Sequence, residues 1–247
     1  MRIFLAALIF TVCTTTIKAQ QPPPGYEITI TTDYKNVQMY LGDYYGKRKL
    51  LADSAMADSK GVAVFKGTTK LPQGIYFVVS PDHVILFEIL MDYGQHFSLL
   101  SDSTKPGEIK FTGSPDNEVF AEYSSFLAKI SPALNNLQQQ LRTAKNADDS
   151  LKISKEIAKA AAELTNYRNH VITDLPNSML ATLLQVAKIP DRPQMPVRAD
   201  GTVDSLYPFF YVKDHYWDNV DFNNDLILHT PFFDPKLEDY FYQPASR

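Results

Sequence analysis

The sequence predicts an α+β protein: an N-terminal antiparallel β-sandwich followed by an α-helical domain with an antiparallel helical hairpin. Three observations predict it. Residues 26–112 alternate apolar and polar side chains with the two-residue period of strands. Beyond Gly113-Ser114-Pro115 the apolar spacing changes to three and four, the period of a helix. The mature chain, 228 residues if a signal peptide is cleaved after Ala19, is long enough for one or two real cores.

The strands come first. Tyr26, Ile28 and Ile30 alternate with Glu27, Thr29 and Thr31, and Val37, Met39 and Leu41 form the next apolar face. Gly61 opens Val62 to Phe65, and Gly67 closes it. Gly74 opens Ile75 to Val79, and Ser80-Pro81-Asp82 stops it. Val84 to Met91 is a nearly continuous apolar run broken by Glu88, which reads as a central strand. Gln95 to Leu100 follows Tyr93-Gly94. Asp58-Ser59-Lys60-Gly61 reads as a hairpin turn. No fixed-length repeat is present, which excludes a β-helix. The expected strand core is Ile28, Ile30, Val64, Phe65, Ile75, Phe77, Ile85, Phe87 and Phe97.

Ser114 suits an N-cap and Pro115 the first helical position. Leu127, Ile130, Leu134, Leu137 and Leu141 make one stripe. Ile153, Ile157, Ala160, Leu164, Tyr167 and Val171 make a second, after the polar turn Asn146 to Asp149. Two such stripes joined by a short turn predict an antiparallel hairpin packed on itself. Pro132 inside the first stripe predicts a kink or a late helix start. Ser178 is placed to cap a third helix reaching about Lys188. A proline-rich loop, 189–208, leads to 207–222, which holds seven aromatics in sixteen positions. That segment is expected to pack on the hairpin, with Trp217 buried against one side. The domains are therefore 26–113, a β-sandwich, and 114–247, helical, in contact across a short link but separable.

Residues 1–19 read as a signal peptide. Arg2 supplies the positive start, Ile3 to Val12 an apolar run too short to span a bilayer, and Ala19 a small residue at the cleavage point. Residues 20–25 form a short linker rich in proline. The expected location is the periplasm or cell envelope. Val12 stands before Cys13 where a lipoprotein signal carries a small residue, so lipidation is not expected. Cleavage leaves 22 Lys and Arg against 28 Asp and Glu, a net charge of −6, unlike a nucleic-acid binder. It also removes Cys13, the only cysteine. A chain without a thiol carries out no thiol–disulfide exchange, because that exchange needs a thiolate.

Motifs for chemistry are sparse. There is no HExxH, no GxSxG elbow, no Walker A and no GxGxxG. No metal or cofactor is expected. His215, flanked by Asp214 and Asp218, is the best single candidate for a general base. Asp214, Asp218, Asp221 and Asp225, with nearby Asn residues, are oxygen-rich but lack the EF-hand spacing, and turns and caps account for them. Tyr40, Tyr44 and Tyr45 beside Gly42 could line a ligand surface, as could His215 and Trp217.

The order of elements resembles the N-terminal region of exported TlpA/thioredoxin-like oxidoreductases of the Bacteroidota. The segments that carry the resemblance are YLGDYYGKRKLLADSAMADSKGVAVFKG at 40–67, LPQGIYFVVSP at 71–81, FTGSPDNEVFAEYSSF at 111–126 and HYWDNVDFNNDLILHTPFFDPKLEDYF at 215–241. In that family a β-rich domain of unknown function and a helical domain precede the thioredoxin domain, which holds the Cys-x-x-Cys. That pair is not found here. The resemblance implies a non-catalytic module that positions substrate, with a thioredoxin-like domain or an envelope protein or peptide as partner. The alternatives are a stand-alone peptide- or glycan-binding module and, third, a hydrolase using His215.

Overall fold

The structure, a computed structural model, describes residues 25–242 apart from 103, 105 and 106. The expected signal peptide and all of the linker except Gly25 lie outside the described residues. The fold is α+β: two four-stranded, largely antiparallel sheets followed by helices.

The strands are β1 (Tyr26–Thr31), β2 (Gln38–Tyr45), β3 (Arg48–Met56), β4 (Val62–Gly67), β5 (Gly74–Val79), β6 (Ile85–Met91), β7 (His96–Ser101) and β8 (Ile109–Thr112). One sheet has the order β4-β1-β7-β8 and the other β3-β2-β5-β6. The sheets pack face to face, and one core draws on both. It contains Ile28, Ile30, Phe65, Phe97 and Leu99 from the first sheet and Met39, Leu41, Tyr76, Val78, Ile89 and Met91 from the second. The Tyr26 hydroxyl donates to Asp53 Oδ2 at 2.8 Å and ties the two layers at one end.

Four strand expectations are corrected. The pair β1–β7 is parallel, Ile28 opposite Phe97, so the sandwich is not purely antiparallel. The turn Asp58–Gly61 does not close a hairpin: β3 and β4 belong to different sheets, and the turn carries the chain between layers. Strand β6 is an edge strand, not a central one. Its apolar run arises because both faces are covered: Ile89 and Met91 face the sandwich, and Leu90 faces the helices. Finally, the expected strand core divides. Val64 is 39% exposed, while Ile75, Phe77 and Ile85 project from the opposite face of the second sheet toward the helices.

That second face exists because helices cover it. They are α1 (Pro115–Arg142), α2 (Ala147–Asp174), α3 (Met179–Ala187), α4 (Tyr207–His215) and α5 (Phe233–Tyr242), with a 3-10 turn at Asp225–His229 before α5. A second core joins Tyr44, Ile75, Phe77 and Leu90 of the sheet to Phe120 and Tyr123 of α1, Val171 of α2 and Leu180, Leu183 and Leu184 of α3. Helix α1 starts at Pro115 and runs through Pro132, so the late start does not occur. Ser114 stands at the N-cap without capping a backbone N–H; its hydroxyl instead accepts from Asn117 Nδ2 at 2.9 Å. Asn146 and Ser178 do cap, accepting from the backbone N–H of Asp149 and Ala181.

The hairpin stripes pair as α1 against α2, with Phe126 stacked on Tyr167 at 4.4 Å. Phe120, Tyr123 and Val171 are buried near the sheet, and Ile130 at mid-helix is the last fully buried residue of α1. Leu127, Leu134, Leu137, Ile157 and Leu164 are only half-buried. The outer half of the hairpin therefore stands away from the sheets with one helix covering one side of the other. The aromatic segment does not place Trp217 as expected. Tyr216 is the buried ring, 1% exposed, and its hydroxyl meets Lys236 O and Asp239 Oδ2 of α5. Trp217 is half-buried and packs beside Phe222 and Tyr240.

Candidate functional site

A concave feature lies where the second sheet, the hairpin base and α3 meet. It is a cleft of 540 Å³. Ile75 of β5 and Glu88 of β6 contribute from the sheet. Phe120, Tyr123 and Leu127 of α1 form one wall, and Leu180, Leu183, Leu184 and Ala187 of α3 another. Thr165, Arg168, Asn169 and Ile172 of α2 line a third side. Their spacing of three, one and three puts them on one helical face, displaced by one residue from the stripe Leu164, Tyr167 and Val171. Helix α2 thus uses one face for the hairpin and the adjacent face for the cleft. A smaller hollow of 320 Å³ at the tip of the hairpin is polar and open, bounded by Gln140, Lys145, Asp149 and Glu156 among others. It lacks the apolar walls that bury a ligand.

The cleft's shape is held by hydrogen bonds at its margin. Asn117 is fully buried at the first turn of α1. Its Oδ1 accepts from Leu90 N at 2.7 Å and its Nδ2 donates to Leu90 O at 2.8 Å. The side-chain amide therefore pairs with edge strand β6 as a neighbouring strand would, satisfying both backbone groups and fixing α1 on the sheet. Asp116 Oδ1 accepts from Met179 N at 2.9 Å, which sets the start of α3 against the start of α1. The α3 wall continues past the helix into Lys188, Ile189 and Asp191. This loop is anchored by Lys236, a buried lysine whose Nζ donates to Lys188 O at 2.8 Å. Burial pushes that ammonium below the ordinary lysine pKa, partly countered by Asp239. Its Nζ also lies 4.6 Å from the Tyr216 ring and 5.4 Å from the Trp217 ring.

Glu88 and Arg168 are two of the polar residues that line the space. Glu88 Oε1 accepts from the Tyr44 hydroxyl at 2.6 Å. Burial and this bond both raise the phenol pKa of Tyr44. Arg168 Nε donates to the Tyr123 hydroxyl at 2.9 Å, so a buried tyrosine orients an exposed guanidinium.

The structure does not gather the sequence candidates into one site. Tyr44 lies behind the cleft, 8% exposed, with its ring edge-on to Phe77 at 4.9 Å. Gly42 makes this packing possible, because a Cβ there would sit 2.0 Å from a Phe77 ring carbon. Tyr40 stacks on His83 at 5.6 Å, and Tyr45, 43% exposed, meets His229 edge-on. His215 is at the exposed end of α4, its Nδ1 2.7 Å from Asp218 Oδ2 and its ring against Tyr211. Trp217 packs beside Lys236, 5.4 Å from its Nζ, and does not line the cleft.

Sequence reading missed the most buried histidine–carboxylate pair among the described residues. His229 Nδ1 lies 3.0 Å from Asp43 Oδ2, with both side chains 11% exposed. Burial raises the Asp43 pKa, partly offset by the histidine. With Gly46 N donating to Leu228 O at 2.7 Å, and Lys47 held by Asp234 and Glu238, the pair clamps the C-terminal elements onto the β2–β3 hairpin. Asp221 and Asn224 serve as turn and cap acceptors for Asn223 N and Leu226 N. Among the described residues no helix is long and apolar enough to cross a membrane. No protein-family model matches the chain, and no curated protein matches it in sequence.

Proposed function

We propose that this protein is a non-catalytic binding module of the cell envelope that holds a polypeptide segment for a thioredoxin-like partner. The cleft carries the reading: a 540 Å³ space whose α1 and α3 walls are mainly apolar and whose α2 side and following loop bring polar and charged groups, the combination of apolar lining and placed polar groups found in ligand sites. The resemblance of segments 40–67, 71–81, 111–126 and 215–241 to the accessory region of exported thioredoxin-like proteins supports the choice of partner. A hydrolytic reading finds less support, since His215 pairs with Asp218 at the surface and neither residue lines the cleft.

The test is binding of a fluorescently labelled, permanently unfolded polypeptide to the purified protein, read by anisotropy. An Ala187→Trp variant, which fills the cleft from an exposed helix position, is the control. Binding to the native protein, lost in the variant, is the expected result. No binding, or equal binding by both, rejects the proposal.

A further inference from the structure

The polar groups in the cleft narrow what it takes. Arg168 is the cation of the α2 wall, and its Nε is occupied by the Tyr123 hydroxyl. Among the described residues its two terminal nitrogens have no protein partner, so a fork of N–H donors is oriented and unused. A fork of this kind matches a carboxylate in two parallel hydrogen bonds. Lys188 and Asp191 carry opposite charges on the same loop, so Arg168 on the α2 wall and Glu88 on the sheet are the remaining charged pair of the cleft, one to meet an acceptor and one to meet a donor.

Glu88 sets the second requirement. It is half-buried, and among the described residues Tyr44 bonds Oε1 and no bond is made to Oε2. A bound molecule that covers Glu88 must bring a donor to Oε2 or leave a buried carboxylate oxygen unpaired, which is costly for a charged group. A fatty-acid tail has no such donor. A peptide has backbone N–H groups beside its apolar side chains.

We propose that the cleft binds the free C-terminus of a polypeptide ending in an apolar residue. The terminal carboxylate sits on the Arg168 fork, a backbone N–H reaches Glu88, and the last side chain enters the space between Phe120 and Leu184. This assignment rests on the binding-module reading above and names its ligand.

The experiment compares a short labelled peptide ending in leucine as the free acid and as the C-terminal amide. The native protein is expected to bind the acid roughly 10- to 100-fold more tightly, the factor of one charge-assisted hydrogen-bond pair. In Arg168→Gln, an exposed substitution, the acid and the amide are expected to bind about equally, near the native affinity for the amide. Decanoate is expected to compete poorly. Equal binding of acid and amide by the native protein overturns this inference while leaving the binding module intact. So does an acid preference that survives Arg168→Gln, or decanoate competing as well as the peptide acid. Failure of both peptides to bind, together with failure of the unfolded polypeptide, removes both proposals.

Discussion

Asn117→Ala should be among the most costly polar substitutions in the protein, although it removes no charge. Asn117 is 0% exposed, and its amide covers Leu90 on the side of β6 away from β5. Truncation leaves the Leu90 N–H and C=O unpaired beneath α1. Each buried unsatisfied group costs about 1–3 kcal/mol, and water reaching the edge of β6 would recover part of it, so a loss of about 2–5 kcal/mol is expected. Asn135→Ala, on the exposed face of the same helix, should change stability by less than about 0.5 kcal/mol. Urea unfolding followed by circular dichroism gives the totals, and hydrogen exchange at the Leu90 amide locates the effect. Asn117→Asp adds a sign test. The carboxylate can still accept from Leu90 N but cannot donate to Leu90 O or to Ser114, and burial raises its pKa. Its protonated form binds more protons folded than unfolded, so this variant should regain stability as pH falls toward about 5. A loss below about 1 kcal/mol for Asn117→Ala, with Leu90 exchange unchanged, would refute the strand-mimic role.

Three further outcomes follow from the packing. Tyr216→Ala should cost about 3–5 kcal/mol and Trp217→Ala clearly less, because Tyr216 is the buried ring; the reverse order in urea midpoints would show that the burial pattern is wrong. Gly42→Ala should cost about 1–3 kcal/mol by forcing the buried Phe77 ring aside, and a neutral result would mean that the ring yields freely. Stability should fall as pH rises above about 10, since Tyr26, pushed up to about 12 by burial and Asp53, and Tyr44, Tyr76 and Tyr216, also raised, stay protonated in the fold while the unfolded chain ionises. Lys236, held low by burial, pulls the other way in the same range, so urea midpoints that are flat from pH 9 to about 11.5 would mean that the tyrosines do not dominate.

The parts of the fold that were legible in the sequence are those where one face of an element is buried and the other is wet. Strands β1 and β4, the hairpin stripes and the Ser178 cap are of that kind. Strand β3 was not visible because it is an edge strand with little alternation: Leu51 is 68% exposed, and Arg48, Lys49 and Asp53 interrupt its apolar residues. The pairing of β1 with β7 was invisible for a different reason. The alternation Tyr26, Ile28, Ile30 is the same whether the neighbouring strand runs parallel or antiparallel, so pattern alone does not set the direction. The continuous run at β6 reports two covered faces, and a central position in the sheet is only one way to achieve that.

The cleft was hidden by the same double coverage. Its floor belongs to a face of the second sheet that reads as core from the sequence, because Ile75 and Phe77 are as apolar as the residues they alternate with. Two signals were available. Glu88 breaks an apolar run where a charge is expensive unless something meets it, and Tyr44, four positions into the tyrosine-rich stretch, does meet it. Thr165, Arg168, Asn169 and Ile172 form a mixed polar and apolar face beside a plainly apolar stripe, more than a solvated helix surface requires. Neither signal says that the two faces meet, because 77 residues and a change of layer separate Glu88 from Thr165. What joins them is α1. Asn117 fixes its first turn to β6 and Phe126 stacks on Tyr167, so one helix carries the sheet's charge and the hairpin's guanidinium to the same space. A site assembled this way depends on the junction of the strand and helical regions. Loosening that junction by Asn117→Ala should therefore weaken peptide binding even though Asn117 does not line the cleft.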